Sequence, residues 1–227
     1  MVSICCSSHF SQILLHLSPR FRYHAGMIEV VYLDLGKVLI DFDYDVAAQR
    51  LLKISPHPLS EISNVLSEPQ LLFEFETGRL SAIEYYKIIC DALEMQISLD
   101  EFRSLWGSMF LPEPLVSEEF LQNLKRKNRL ILLSNTNEIH FDYLVERFPI
   151  LNQIEERLLS YRVGYMKPDP QIFQLAIEKA GGVPENIFFA DDRHENVEGA
   201  RAAGIQAIQF KSEMQLRQEL NDRGVEC

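Results

Sequence analysis

The chain has 227 residues, 47% hydrophobic and 24% charged, which suits one soluble domain carrying an insertion, or two small domains. A formal net charge of −11 argues against nucleic-acid or anionic-membrane partners, which bind basic faces, and no stretch reaches the roughly 20 apolar residues of a membrane span. Cys5, Cys6, Cys90 and Cys227 lack metal-ligand spacing and read as reduced thiols of a cytoplasmic protein.

Residues 1–26 contain no acid but three of the six histidines, together with Arg20, Arg22 and several serines. A transit peptide is Ser-rich and acid-poor in this way. The simpler expectation is an extension, or an upstream start, with Met27 opening the domain. The apolar run Val30-Val31-Tyr32-Leu33 then predicts a first strand that ends at Asp34.

No convincing strand follows until Arg129. Tyr44 to Ile54 and Gln70 to Glu76 read as helices, and Ser81-Ala82-Ile83-Glu84 and Ser98-Leu99-Asp100-Glu101 both fit the capping box. The first box starts a helix expected to bury Ile83, Tyr86, Cys90 and Leu93. Arg129 to Asn135 predicts the second strand, and Leu158 to Tyr161 a weaker third. Asp169 and Pro170 open a helix whose stripe is Ile172, Phe173, Ala176, Ile177 and Ala180, closed by Gly181-Gly182. Asn186 to Asp191 and Gln206 to Phe210 complete the strands, with a helix from about Glu195 to Ala203 between them. Strands alternating with helices predict a parallel sheet covered on both faces.

Four chemical signatures follow one another along this pattern: Asp34, Ser134, Lys167 within Lys167-Pro168-Asp169-Pro170, and Asp191-Asp192. Three lie where a strand stops, and open parallel sheets bind ligands beyond those ends. Asp34 alone reads as a turn cap, Ser134 as an N-cap and a lone lysine as solvated surface. Together, a carboxylate, a hydroxyl, an amine and an acid pair suit phosphoryl transfer through an aspartyl-phosphate with a bound cation. Asp34 is the expected nucleophile. Ser134, with backbone N–H groups near Asn135 to Asn137, is expected to bind phosphoryl oxygens, and Lys167 to neutralise the transferring group. Adjacent carboxylates repel unless a cation or hydrogen bonds compensate, and magnesium suits them as a hard ion.

The ordered set resembles the haloacid dehalogenase (HAD) superfamily from Met27 onward. That resemblance implies an α/β fold: a Rossmann-like three-layer core with a parallel sheet, over residues 27–43 and 116–227. It also implies an α-helical cap, residues 44–115, inserted after the first strand. By the same resemblance Asp34, the Gly36 carbonyl and Asp192 hold Mg2+, with Asp191 counted in the metal site and, alongside Asn196, orienting Lys167 or metal-bound water. Asp34-Leu35-Gly36, Phe75-Glu76-Thr77-Gly78, Ser134-Asn135-Thr136-Asn137 and Asn196-Val197-Glu198-Gly199 are similar to the alpha-D-glucose-1-phosphatase-like subgroup. Asn135, and Glu76 and Arg79 in a cap turn, are the further substrate-binding candidates. His140 and His194 are assigned no catalytic role.

Gly36 departs from the family pattern, in which a second Asp two residues after the nucleophile serves as acid and base. Without it the chain should favour aryl, acyl or anomeric phosphates, whose leaving groups are stable anions, unless another acid serves. Asp41, Asp43 and His140 are the first replacements to consider. The expected function is a magnesium-dependent phosphomonoester hydrolase acting on a small phosphorylated metabolite, a sugar phosphate above others, as a monomer or small homo-oligomer. The rivals are a non-catalytic phosphate-binding or regulatory protein, and a dehalogenase, against which the acid pair counts.

Overall fold

The computed structural model describes residues 27–227, so the expected extension over residues 1–26 lies outside it. The strands are β1 Val30–Leu33, β2 Ile40–Phe42, β3 Phe110–Pro114, β4 Arg129–Ser134, β5 Glu156–Leu159, β6 Ile187–Asp191 and β7 Gln206–Gln209. Five of them form one parallel sheet in the order β5-β4-β1-β6-β7. β1 is central because its residues are buried on both faces. Val30 and Tyr32 pack with Leu133, Phe189, Ile172 and Phe173, while Val31 and Leu33 pack with Leu132, Phe188, Phe120 and Leu216. The buried Tyr32 hydroxyl donates to the Ala176 carbonyl at 2.8 Å, which satisfies its one polar group.

The helices between β2 and β3 are α1 Tyr44–Leu51, α2 Leu59–Leu66, α3 Pro69–Glu76, α4 Ala82–Ala92 and α5 Leu99–Gly107. They bury a cluster of their own, including Leu51, Ile62, Phe75, Tyr85, Phe102 and Trp106, in which the Phe75 and Tyr85 rings stack with centroids 4.0 Å apart. Both capping boxes form. The buried face of α4 differs from the expected one: Ile83 is 53% exposed, and Ala82, Tyr85, Ile89 and Cys90 pack inward. A second correction concerns strands. β2 and β3 pair as an antiparallel ribbon where the chain leaves the sheet and returns to it. Pro112 and Pro114 hide β3 in the sequence, because a proline cannot donate to a ladder and is tolerated where only one side is paired.

The remaining helices are α6 Glu118–Lys125, α7 Glu138–Arg147, α8 Ser160–Val163, α9 Pro170–Ala180, α10 His194–Ala202 and α11 Glu213–Asn221. None of the described helices is long and apolar enough to cross a membrane.

Two glycines press the inserted helices onto the rest of the chain. A Cβ at Gly107 would lie 2.3 Å from the Tyr143 ring on α7, and one at Gly78, where φ is +71°, would lie 2.0 Å from the Tyr161 carbonyl oxygen on α8. Gly78→Ala is therefore expected to lower the melting temperature and to impair turnover. The left-handed conformation alone costs a non-glycine residue about 1–2 kcal/mol. An unchanged melting curve would show that this turn is not held against α8.

Candidate active site

Asp34 follows β1 directly, while Ser134 ends β4 and Asp191 ends β6, so three neighbouring strands deliver three polar groups to one rim. The Asp34 amide donates to the Ala190 carbonyl at 3.0 Å, which continues the β1–β6 ladder to the nucleophile candidate. Its carboxylate oxygen Oδ1 accepts from the Leu35 amide at 2.7 Å and lies 2.9 Å from the Lys167 ammonium. Its other oxygen takes no hydrogen bond from the described residues.

Lys167 arrives from the loop between α8 and α9, only 3% exposed. Its Nζ donates to the Leu133 carbonyl at 2.9 Å and to Asp191 Oδ2 at 2.6 Å, in addition to the Asp34 contact. Three acceptors for three protons fix the ammonium in place. Asn135 fixes the backbone behind it: its amide nitrogen donates to the Lys167 carbonyl, and its oxygen accepts from the Lys167 amide, both at 2.7 Å. The side-chain bonds of Asn135 thus go to the lysine loop.

Asp191 is fully buried with both oxygens engaged. Oδ1 accepts from the Arg193 amide and from Asn196 Nδ2, each at 2.9 Å, and Oδ2 accepts from Lys167. Asp192, half-buried, has no side-chain hydrogen-bond or ion-pair partner among the described residues. Asp34, Asp191 and Asp192 nonetheless offer ligand atoms within 4.8 Å of one another.

The electrostatics follow from this crowding. Burial raises the Asp34 carboxyl above the usual carboxylate range, opposed by the Lys167 charge and reinforced by that of Asp191. Burial and then Asp191 also raise Asp192. Burial works against the Lys167 charge, but Asp34 and Asp191 outweigh it and hold its pKa above the ordinary lysine value.

Asp34, Gly36, Ser134, Asn135, Lys167 and Asp192 line a cavity of about 180 Å³ between the sheet rim and the inserted helices, while Asp191 is buried behind them. Glu76, Tyr44, Met109 and His140 line it too, and they also line an adjoining, largely apolar cavity of about 400 Å³. The structure separates Glu76 from Arg79. Arg79 lines neither cavity; it lies 3.7 Å from Glu74 and over the Phe73 ring. Arg79→Ala is accordingly expected to leave KM unchanged, and a clear rise would place this side chain against substrate.

Gly36 is sterically confined: a Cβ there would lie 2.9 Å from Cε1 of Phe42. Gly36→Asp must displace that ring, so the variant should melt below the natural protein. Of the replacement acids, Asp41 pairs with Lys37 at 2.5 Å and Asp43 caps α1, and neither lines the cavity. His140 does line it. Asn137 accepts from the His140 amide through Oδ1 at 3.0 Å, so its Nδ2 faces the ring Nδ1 at 3.2 Å and makes that atom the acceptor. Burial pushes this imidazole down to about 4, so at neutral pH it is an uncharged donor through Nε2. His194, on the exposed start of α10, is outside the cavity. Asn137 also caps α7, while Ser134 turns its hydroxyl toward the Asn135 carbonyl at 3.3 Å. Phe42 and Tyr44 were not singled out as site residues, because aromatic side chains in that stretch carry no chemical signature.

A family model described as haloacid dehalogenase-like hydrolase matches residues 28–204. D-ribitol-5-phosphate phosphatase from Bacteroides thetaiotaomicron is 27% identical over 200 residues, which cover 86% of this chain and 97% of that protein. Among solved structures, a HAD family enzyme from the same organism superposes with a TM-score of 0.75 at 26% identity, covering 86% of this chain and 98% of that one. Its wild-type complex with magnesium and inorganic phosphate gives a TM-score of 0.72 at 29% identity, covering 82% and 96%.

Proposed function

Because the chain belongs to the haloacid dehalogenase-like hydrolase family, we propose that it is a magnesium-dependent phosphomonoester hydrolase working through an aspartyl-phosphate at Asp34. The observation that carries this reading is the placement of Lys167. An ammonium fixed by Leu133, Asp34 and Asp191 stands ready for the negative charge of a phosphoryl group.

The donor set suits the metal. Asp34 keeps one oxygen unengaged, Asp192 has no partner side chain, and Gly36 lines the same cavity. These residues are the ligands we assign, and bound Mg2+ would supply charge neutralisation at the phosphoryl oxygens. Asp191, its oxygens saturated, serves as a positioning residue for Lys167.

In this mechanism an Asp34 oxygen attacks phosphorus and the ester oxygen departs. Ser134 donates to a phosphoryl oxygen, Lys167 neutralises another, and Asn135 keeps the lysine loop in register. Water then cleaves the acyl phosphate, releasing phosphate and restoring the carboxylate. A sugar or polyol phosphate is the substrate class we favour, supported by the D-ribitol-5-phosphate phosphatase relative and by a cavity that Glu76 and His140 also line.

Phosphate release from p-nitrophenyl phosphate and from a panel of pentose, hexose and polyol phosphates tests the reading. Activity should require Mg2+ and disappear with EDTA. Release that EDTA leaves unchanged, or no release from any ester, would overturn it.

A further inference from the structure

The mechanism above has no proton donor at the position where the family carries one, because Gly36 offers no side chain. Resting on that mechanism, we propose that Glu76, reaching the cavity from the last turn of α3, is its general acid and base.

Four observations lead there. The cavity lined by Asp34, Gly36, Lys167 and Asp192 is also lined by Glu76, which the inserted helix α3 supplies. Its carboxyl group has neither a hydrogen bond nor an ion pair among the described residues, so no structural partner accounts for it. The place of the missing acid is blocked by the Phe42 ring, which lies 2.9 Å from where a Cβ on Gly36 would be. The Gly78 turn that ends α3, two residues after Glu76, packs closely against the Tyr161 backbone, which anchors this end of the helix.

The other candidates fall away on their surroundings. Asp41 is engaged by Lys37, Asp43 by the start of α1, and His140 is an uncharged imidazole whose Nδ1 already accepts from Asn137. The groups facing Glu76 are Tyr44 on α1, Tyr85 on α4, His140 on α7, Lys167, Asp192 and Arg193. Burial raises the Glu76 carboxyl to about 7, with Arg193 and then Lys167 opposing the rise. A carboxyl near neutrality can give a proton in one half-reaction and recover it in the next.

The steps balance. As the Asp34–phosphorus bond forms and the phosphorus–ester oxygen bond breaks, the Glu76 proton passes to the departing oxygen and yields a neutral alcohol. In the second half, water adds to phosphorus and gives a proton to the Glu76 carboxylate. The Asp34–phosphorus bond then breaks, and phosphate leaves.

The test is kcat/KM across aryl and alkyl phosphates of graded leaving-group pKa, for the natural protein and for Glu76→Gln. The natural protein should show a shallow dependence. Glu76→Gln should lose about a hundred- to ten-thousandfold on alkyl esters, the usual contribution of general acid catalysis, and far less on p-nitrophenyl phosphate. The natural protein's kcat/KM should decline toward alkaline pH as the acid form disappears, and Glu76→Gln should lose that decline. Glu76→Asp, which keeps the carboxyl, should retain that decline. An equal loss on all esters, or an unchanged slope and pH profile in a folded Glu76→Gln protein, would overturn the assignment. Absence of activity from the natural protein toward every ester would instead overturn the underlying phosphatase reading, and this inference with it.

Discussion

Asp34→Asn should abolish magnesium-dependent phosphate release and leave the protein at least as stable as before. An amide is nearly isosteric but a poor nucleophile, and its oxygen can still accept from the Leu35 amide and face Lys167, as Oδ1 of Asp34 does. Burial already disfavours the charged carboxylate at this position, so a neutral side chain removes a desolvation cost as well as the reaction. Circular dichroism and a melting curve would establish that the variant is folded. Substantial turnover in such a protein would mean that another group attacks phosphorus. A fall in melting temperature would mean that the Asp34 charge is structural.

Lys167→Met should harm both activity and stability. Loss of one preorganised donor typically costs about a hundred- to a thousandfold in rate, and Lys167 serves the phosphoryl group directly in the mechanism proposed here. Removing the ammonium also leaves the buried Asp34 and Asp191 carboxylates facing each other, and breaking a buried ion pair costs about 3–5 kcal/mol. The pH dependence gives this effect its signature. In the natural protein the Lys167 pKa is raised, so its stabilisation is complete below the ordinary lysine pKa and is lost only as pH rises through the higher folded value. In the variant Asp34, already raised by burial, loses the Lys167 charge that opposes the rise, and its protonation relieves the repulsion. The stability deficit of Lys167→Met should therefore shrink as pH falls through the raised Asp34 value, when melting is compared at neutral and mildly acidic pH. A deficit that does not vary with pH would assign the loss to packing.

The parallel sheet was legible because a strand buried on both faces is a short apolar run, and each run here stops at a polar residue. Val30 to Leu33 before Asp34, and Ile187 to Ala190 before the acid pair, carry fold and site in the same residues. The β2–β3 ribbon was not legible, since a three-residue strand and a proline-bearing partner break the period that marks strands. The face of α4 was misplaced because Ile83 and Ile89 are both apolar, and only packing against Phe75 and Phe102 decides which one is buried. Glu76 and Arg79 looked equivalent as flanks of Gly78, yet the end of α3 turns one into the cavity and leaves the other beside Glu74. The confinement of Gly36 is tertiary as well. It comes from the Phe42 ring, whose position depends on the β2–β3 ribbon.

Turnover by this mechanism passes through a covalent phosphoryl group on Asp34. Acid quenching during turnover of p-nitrophenyl phosphate with Mg2+, over a millisecond time course, followed by proteolysis and mass spectrometry, would reveal it. The expected result is one phosphoryl group on the peptide containing Asp34, present with magnesium, absent with EDTA and absent in Asp34→Asn. Phosphate release without a modified Asp34 peptide at any time point, or a phosphoryl group on a different residue, would contradict the account.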